Sequence, residues 1–394
     1  MNTTVFPGLV HGTIQAIPSK SQAHRLLICA AFSDGPTKLV CPDTNRDIEA
    51  TADCLNALGA AVSRTDNGYL VFPIKEIPMS ATLPCCESGS TLRFMLPIAG
   101  ALGVDTTFTM EGRLPKRPLS PLWEEMERMG CSLSRPTEST IHCTGKLHPG
   151  SYSIDGGVSS QFITGLLFAL SLIDGDSTLA VTGKLESKPY VIMTQQALAL
   201  FGVNTDNLVF HGKQQFRSPG MLTVEGDWSN AAFFLAATAL GSNVDVQNVN
   251  PDSAQGDRAC AFLLPEIANG FTEVDASDIP DLVPILSVAA GACHGAVFHN
   301  IARLRLKESD RVASVIAMLK AIGGNAEADE NNLHVFGTGY SGGTVDACGD
   351  HRIAMAAAIA ATVSTEPVTI LGSECVAKSY PNFWRDFTML GGKL

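Results

Sequence analysis

Six segments of the chain begin alike, with a short polar group followed by a helix-length run of small apolar residues ending near glycine. They start at Ser21, Ser90, Ser160, Ser229, Asp281 and His351, in steps of 69, 70, 69, 52 and 70 residues. A β-like run comes next, as in Thr106-Thr-Phe-Thr-Met110 and Pro367-Val-Thr-Ile-Leu371. A second, amphipathic helix pattern closes each copy at Gly59, Gly130, Gly202, Gly270, Gly323 or Gly391, and its steps of 71, 72, 68, 53 and 68 track the first series. Glycine there suits the left-handed turn that ends a helix. Six copies of a unit of about 70 residues account for the pattern, a period longer than the roughly 20–50 residues of solenoid repeats.

The two helix types call for different places. The first is apolar on nearly all sides, as in Ala231–Leu240, and belongs inside its domain. The second keeps a polar face, as in Leu122–Met129, and belongs outside. Strands between them would form sheets around a helical core. The short step after the fourth copy and the Ser218-Pro-Gly220 turn divide the copies three and three, so the chain is expected to form two similar α/β domains joined near residues 217–226.

Composition narrows the partners. Among 394 residues, 27 Lys and Arg face 39 Asp and Glu, a formal charge of −12. That balance argues against a nucleic-acid backbone or an anionic membrane surface as partner, and any small anion must be held by a local basic cluster. The 11 cysteines include no Cys-x-x-Cys pair, which suggests reduced thiols in core positions and neither a zinc ribbon nor a disulfide framework. Apolar stretches such as Ile353–Val363 are shorter than the ~18 residues that cross a bilayer. With no signal-peptide pattern at its start, the chain reads as cytoplasmic.

Basic residues stand where helices disfavour them. Lys20, Arg25, Arg93 and Arg352 lie within about a turn and a half of the starts of buried helices, where a cation opposes the helix dipole at roughly 0.3–1 kcal/mol each. An anion there would offset the cost, held by free N–H groups and small entering residues. Ser19-Lys-Ser21, Glu87-Ser-Gly-Ser-Thr91, Ser159-Ser-Gln161 and Asp350-His-Arg352 meet that requirement. Ser160 alone reads as a routine helix cap, but together the four point to a phosphate-binding enzyme. Lys307-Glu308-Ser-Asp310-Arg311 is either a solvated helix start or an anion clamp in which Glu308 moves a proton. Asp281 is either an N-cap or a carboxylate base in a cleft wall.

In order along the chain, Ser19-Lys-Ser-Gln-Ala-His-Arg25, Gly89-Ser-Thr-Leu-Arg93, Lys116-Arg-Pro118, Ser159-Ser-Gln-Phe162, Ser187-Lys-Pro-Tyr190, Glu225-Gly-Asp227, Leu306–Arg311, Asp350–Met355 and Ala377–Pro381 resemble the 5-enolpyruvylshikimate-3-phosphate synthase family of enolpyruvyl transferases. The resemblance implies an inside-out α/β fold: two domains, each of three βαβαββ repeats with buried helices and outer sheets, and an active site in the cleft between them. The expected domains are residues 18–224, with repeats one to three, and residues 1–17 plus 225–394, with repeats four to six.

The resemblance also implies a reaction. The 5-hydroxyl of shikimate 3-phosphate adds to C2 of phosphoenolpyruvate as C3 is protonated, and phosphate then leaves. Lys20, Ser21 and Arg25 would contact shikimate 3-phosphate, Ser159, Ser160 and Ser187 its phosphate, and Gln161, Asp281 and Lys307 its ring and hydroxyls. Phosphoenolpyruvate would lie among Lys20, Gly89, Arg93, Arg117, Gln161, Arg311, Arg352 and Lys378. Lys20, Asp281 and Glu308 would be the catalytic proton handlers. No metal or organic cofactor is implied, and a monomer is expected. Gly89 matches the glyphosate-sensitive form.

Three positions depart from the family pattern: His24, where the family often has Asn, Glu87, and Arg303. The nearest rival, UDP-N-acetylglucosamine enolpyruvyl transferase, shares the fold but carries a reactive loop cysteine; Gly112–Arg117 has none, and Cys131 falls on the expected amphipathic helix. An RNA-end-processing protein on related repeats is disfavoured by the acidic charge.

Overall fold

In each half of the chain, helices of small apolar residues are buried on every side. The computed structural model describes residues 1–212 and 214–394, and they form two units: a continuous one, Pro18–Val224, and a split one, Met1–Ile17 with Glu225–Leu394. The continuous unit holds α1 (Lys20–Ala31), α2 (Arg46–Ala57), α3 (Gly89–Leu102), α4 (Leu122–Arg128), α5 (Ser160–Leu172) and α6 (Lys188–Leu200). The split unit holds α7 (Trp228–Ala239), α8 (Cys260–Asn269), α9 (Val283–Ala292), α10 (Arg311–Ala321), α11 (His351–Thr362) and α12 (Phe383–Met389). Every residue of α11 is buried, as is the whole of α1 from Ala23 onward, so neither has an outward face. By contrast α4 buries only Leu122, Glu125 and Met126, as the amphipathic pattern predicts. Among the described residues no helix is long and apolar enough to cross a membrane.

Three four-stranded sheets share one topology. In Ser80–Cys86, Asp105–Met110, Thr140–Gly145 and Cys131–Thr137, taken in spatial order, the first pair is parallel and the others antiparallel. Thr272–Asp275, Ala296–His299, Asn332–Phe336 and Asn325–Ala328 repeat that order in the split unit. The first copy completes the same sheet with a borrowed strand: Met221–Thr223, at the end of the continuous unit, pairs parallel with Thr37–Val40. In the fourth copy, His11–Gln15 pairs parallel with Asn243–Gln247, and α8 leads directly into Thr272–Asp275 with no hairpin between. That missing hairpin is the physical basis of the short step in the repeat.

Details of the sequence reading change. Five closing glycines have φ between 77° and 113°, but Gly270 is extended at −178°, because the chain passes straight from α8 into a strand. Helix caps fall slightly ahead of several expected starts, at Ser19, Ser88, Ser159, Asp227 and Asp350. Cys131 opens a strand and is not on α4.

Close packing sets the start of α3. A Cβ on Gly165 of α5 would lie 2.2 Å from the Arg93 carbonyl oxygen and 2.7 Å from the Pro97 ring. Only glycine lets the two helices approach this closely, and the approach fixes the backbone that carries Arg93.

Candidate functional site

In the continuous unit the candidate residues gather at helix starts. Ser19 caps α1, its Oγ accepting from the Gln22 amide at 3.4 Å, and Lys20 is the first helical residue. The Lys20 ammonium donates to Asp47 Oδ2 at 2.9 Å, the two side chains being 18% and 9% exposed. Asp47 was not foreseen from sequence. An acidic residue in the first turn of α2 is ordinary complementation of the helix dipole, so nothing marked it as a partner for Lys20.

Around Gly89, at the start of α3, two guanidinium groups converge. A Cβ there would stand 2.5 Å from Arg117 Nη1 and 2.6 Å from Arg93 Nη1. Arg93 donates to Gln161 Oε1 at 3.2 Å and to the Pro118 carbonyl at 3.0 Å, and Gln161 Nε2 donates to Ser90 Oγ at 2.9 Å. Gly89, Arg93, Arg117 and Gln161 are thereby one cluster. Two cations beside a helix start form an anion site.

The expected contacts for shikimate 3-phosphate are more divided. Ser159 caps α5, with its Oγ accepting from the Gln161 amide at 3.3 Å, and Ser160 is buried behind it. Ser187 precedes α6 in the left-handed region, at φ 56°, a conformation that costs a serine roughly 1 kcal/mol or more and is concentrated at functional sites. Arg25 is buried and committed inside the unit. It donates to Thr194 Oγ1 at 2.8 Å, the Ser21 carbonyl at 2.6 Å and the Tyr190 carbonyl at 2.9 Å. Ser21 is half-buried beside it.

The split unit builds a charge cluster on Arg311, the first residue of α10, which is only 1% exposed. Its Nη1 donates to Asp281 at 2.6 Å, Nη2 to Glu308 at 2.8 Å and Nε to Asp350 at 2.9 Å. Asp281 also accepts from Arg352 Nη2 at 2.8 Å and lies 3.6 Å from the Lys307 ammonium. The solvated-helix alternative for Lys307–Arg311 is therefore wrong. So is the cap alternative for Asp281: α9 begins at Val283 with no side-chain cap, and the Asp281 carboxylate is spent on three cations. Lys378 ends the short 3₁₀ turn Ser373–Lys378 and Arg303 lies in another, Ala302–Leu306.

Charge states follow from these neighbours. Burial would raise Asp281, but Arg352, Lys307 and Arg311 outweigh it and hold the carboxyl well below the usual range. Asp350 is held down in the same way, burial being overcome by Arg311. Burial brings the Lys307 ammonium to about 8, Asp281 opposing and Arg311 and Arg303 reinforcing the shift. Asp257, in the 3₁₀ turn before α8, is pushed up to about 7, first by burial and next by Asp281. It accepts a short hydrogen bond from Ser229. Sequence reading missed Asp257 because its neighbours come from α7 and from residues far along the chain. Lys307 thus reaches the range where a proton can be given or taken near neutral pH, while Asp281 remains anionic.

Over residues 6–268 and 264–387 the chain matches the family described as EPSP synthase (3-phosphoshikimate 1-carboxyvinyltransferase). It is 38% identical to the 3-phosphoshikimate 1-carboxyvinyltransferase of Clostridium kluyveri, across 99% of this chain and 97% of the relative. With its namesake from Clostridioides difficile it shares 35%, across 99% and 97%. Among solved structures, EPSP synthase from Acinetobacter baumannii superposes with a TM-score of 0.79 at 22% identity, covering 99% and 98% of the two chains. The enolpyruvyl transferase NikO from Streptomyces tendae gives 0.73 at 16%, covering 100% and 97%. These two likenesses carry the fold. Membership rests on identity along the whole length: the chain belongs to the EPSP synthase (3-phosphoshikimate 1-carboxyvinyltransferase) family.

Proposed function

We infer that the chain transfers the enolpyruvyl group of phosphoenolpyruvate to the 5-hydroxyl of shikimate 3-phosphate and releases phosphate, a step of the shikimate pathway to chorismate and aromatic amino acids. The observation that carries the reading is the convergence of Arg93 and Arg117 on Gly89 at the start of a buried helix. A phosphoryl ester with a carboxylate needs cations in fixed positions, and guanidinium groups meet both anions bidentately.

Residue roles follow the chemistry. By the family resemblance, Lys20, Gly89, Arg93, Arg117, Gln161, Arg311, Arg352 and Lys378 hold phosphoenolpyruvate. Lys20, Ser21, Arg25, Ser159, Ser160, Gln161, Ser187, Asp281 and Lys307 hold shikimate 3-phosphate. As the acceptor oxygen bonds to C2, C3 takes a proton and positive charge develops beside it. Anionic Asp281 and Glu308 stabilise that charge, and the cations stabilise the departing phosphate. Lys20, Asp281 and Glu308 handle the protons: one takes the proton that the 5-hydroxyl loses as its oxygen bonds to C2, another supplies the proton that C3 gains, and C3 gives a proton back as the C–O bond to phosphate breaks. The chain works as a cytoplasmic monomer.

Phosphate release tests the reading. Release is expected with shikimate 3-phosphate plus phosphoenolpyruvate and not with UDP-N-acetylglucosamine as acceptor. The reverse preference would assign the chain to the rival reaction. Lys20→Met and Arg117→Ala should abolish turnover in folded protein.

A further inference from the structure

Buried hydroxyl groups join α1, α2 and α3 behind the phosphoenolpyruvate residues. His24 lies one turn beyond Lys20 on α1, and Thr51 one turn beyond Asp47 on α2. The Lys20–Asp47 ion pair at 2.9 Å and the His24 Nδ1–Thr51 Oγ1 hydrogen bond at 2.7 Å are therefore successive rungs between the same helices. The chain continues from Thr51 Oγ1 to Thr91 Oγ1 on α3 at 2.7 Å. Thr91 Oγ1 in turn donates toward Ser88 Oγ at 2.8 Å and the Asp47 carbonyl at 3.3 Å. Ser88 is the cap of α3, next to Gly89. His24, Thr51, Ser88 and Thr91 are at most 1% exposed, and Thr51 and Thr91 belong to none of the contacts assigned above.

Counting hydrogens gives the chain a direction. Each hydroxyl has one hydrogen, and that of Thr91 goes onward to Ser88 or to the Asp47 carbonyl, which can only accept. The Thr51–Thr91 bond must then use the Thr51 hydrogen. Thr51 consequently accepts from His24, whose Nδ1 carries the proton. The bare Nε2 is the ring atom that is buried without a hydrogen-bond partner, and the ring stands edge-on to Phe94, 88° between planes. Burial, aided by Lys20 and Arg25 and opposed by Asp47, pulls the imidazole down to about 3, so it is uncharged at neutral pH.

We propose that His24, as the neutral Nδ1–H tautomer, is a positioning residue that acts through Thr51 and Thr91 to hold Lys20 on α1 in register with the Gly89–Arg93 start of α3. The proposal rests on the assignment of Lys20, Gly89 and Arg93 to phosphoenolpyruvate. Lys20 is assigned to both anions, but the Gly89–Arg93 start that the relay reaches is assigned to phosphoenolpyruvate alone, so the defect falls chiefly on that substrate.

Steady-state kinetics on the full chain with both substrates test it. Thr51→Val keeps the shape and removes the link, whereas His24→Asn keeps an N–H donor at the Nδ1 position and His24→Leu does not. Thr51→Val and His24→Leu should each raise KM for phosphoenolpyruvate about tenfold, the effect of one buried polar group left unpaired, with kcat and the other KM within about threefold and His24→Asn near wild type. An unchanged KM, or equal rises in both, overturns the proposal. Nitrogen-15 NMR of the wild-type imidazole decides independently of whether the variants fold: an Nε2-protonated ring, or one that gains charge between about pH 5 and 8, overturns it too. Lys20→Met in the same assay separates the premises: the site assignment expects no turnover from it, and wild-type turnover with an unchanged phosphoenolpyruvate KM defeats that assignment and not the relay alone.

Discussion

Arg311 donates from Nε to Asp350 Oδ2 at 2.9 Å, and the two side chains are only 1% and 0% exposed. The same carboxylate accepts the Arg352 amide on its other oxygen at 3.0 Å, capping α11. One aspartate therefore ties the starts of α10 and α11 together, and each start carries an arginine. A cation at a helix start is unfavourable by itself. Asp350 offsets that charge within the folded unit.

Removing that carboxylate should be costly. Asp350→Ala leaves Arg311 buried with one acceptor fewer and α11 uncapped, for an expected loss of roughly 3–5 kcal/mol. Urea unfolding read through Trp228 and Trp384, both in the split unit, would measure it. A midpoint unchanged from wild type would mean that solvent or Glu308 replaces the lost partner.

Lys307 predicts an alkaline limb. Burial, with Arg311 and Arg303 adding to it and Asp281 opposing, brings the ammonium to about 8, so the charged fraction falls as pH rises through that value. If Lys307 holds shikimate 3-phosphate, kcat/KM for that substrate declines through the same range in the free enzyme. Lys307→Arg, which keeps its charge to beyond about pH 12, should flatten the limb. A limb that persists in the arginine variant belongs to another group.

Much of this was readable in the chain itself, for a physical reason. Helices such as Ala231–Leu240 have no polar face, so they can lie only inside, and cations at their starts betray a ligand. The borrowed strand Met221–Thr223 was not readable, since three residues are too few to show alternation. The partners of Asp47 and Asp350 were hidden because an acid at a helix start already has a sufficient local reason to be there. The His24–Thr51–Thr91 chain joins residues 27 and 40 apart, and no local pattern specifies which hydroxyls meet across three helices.

Asp257 predicts a dependence of stability on pH. Burial first, then Asp281 and Asp227 with Arg352 opposing, raise its carboxyl from 3.8 to about 7. The native state thus binds the proton more tightly than the unfolded chain, which favours folding at low pH. That contribution is lost as pH rises from the unfolded value through about 7. Asp257→Asn removes the titration and retains an oxygen to accept from Ser229. Its stability relative to wild type should therefore grow across that window, as read by thermal unfolding at acid, intermediate and neutral pH. An advantage independent of pH would mean that the carboxyl does not titrate there.

Gly89 predicts a defect in affinity without one in folding. A methyl group at this position would meet Arg117 Nη1 at 2.5 Å and Arg93 Nη1 at 2.6 Å, the far ends of side chains able to yield, so Gly89→Ala should fold normally. The guanidinium groups must move outward, however, and misplacement of catalytic or binding groups by even about 1 Å can cost on the order of a hundredfold. KM for phosphoenolpyruvate should rise by about tenfold or more while that for shikimate 3-phosphate holds. Glyphosate inhibition, expected of the wild type from the glycine at this position, should weaken alongside it. Equal losses for both substrates would point to a general distortion of α3. A selective loss would locate the phosphoenolpyruvate subsite at the two arginines that only glycine lets close over the helix start.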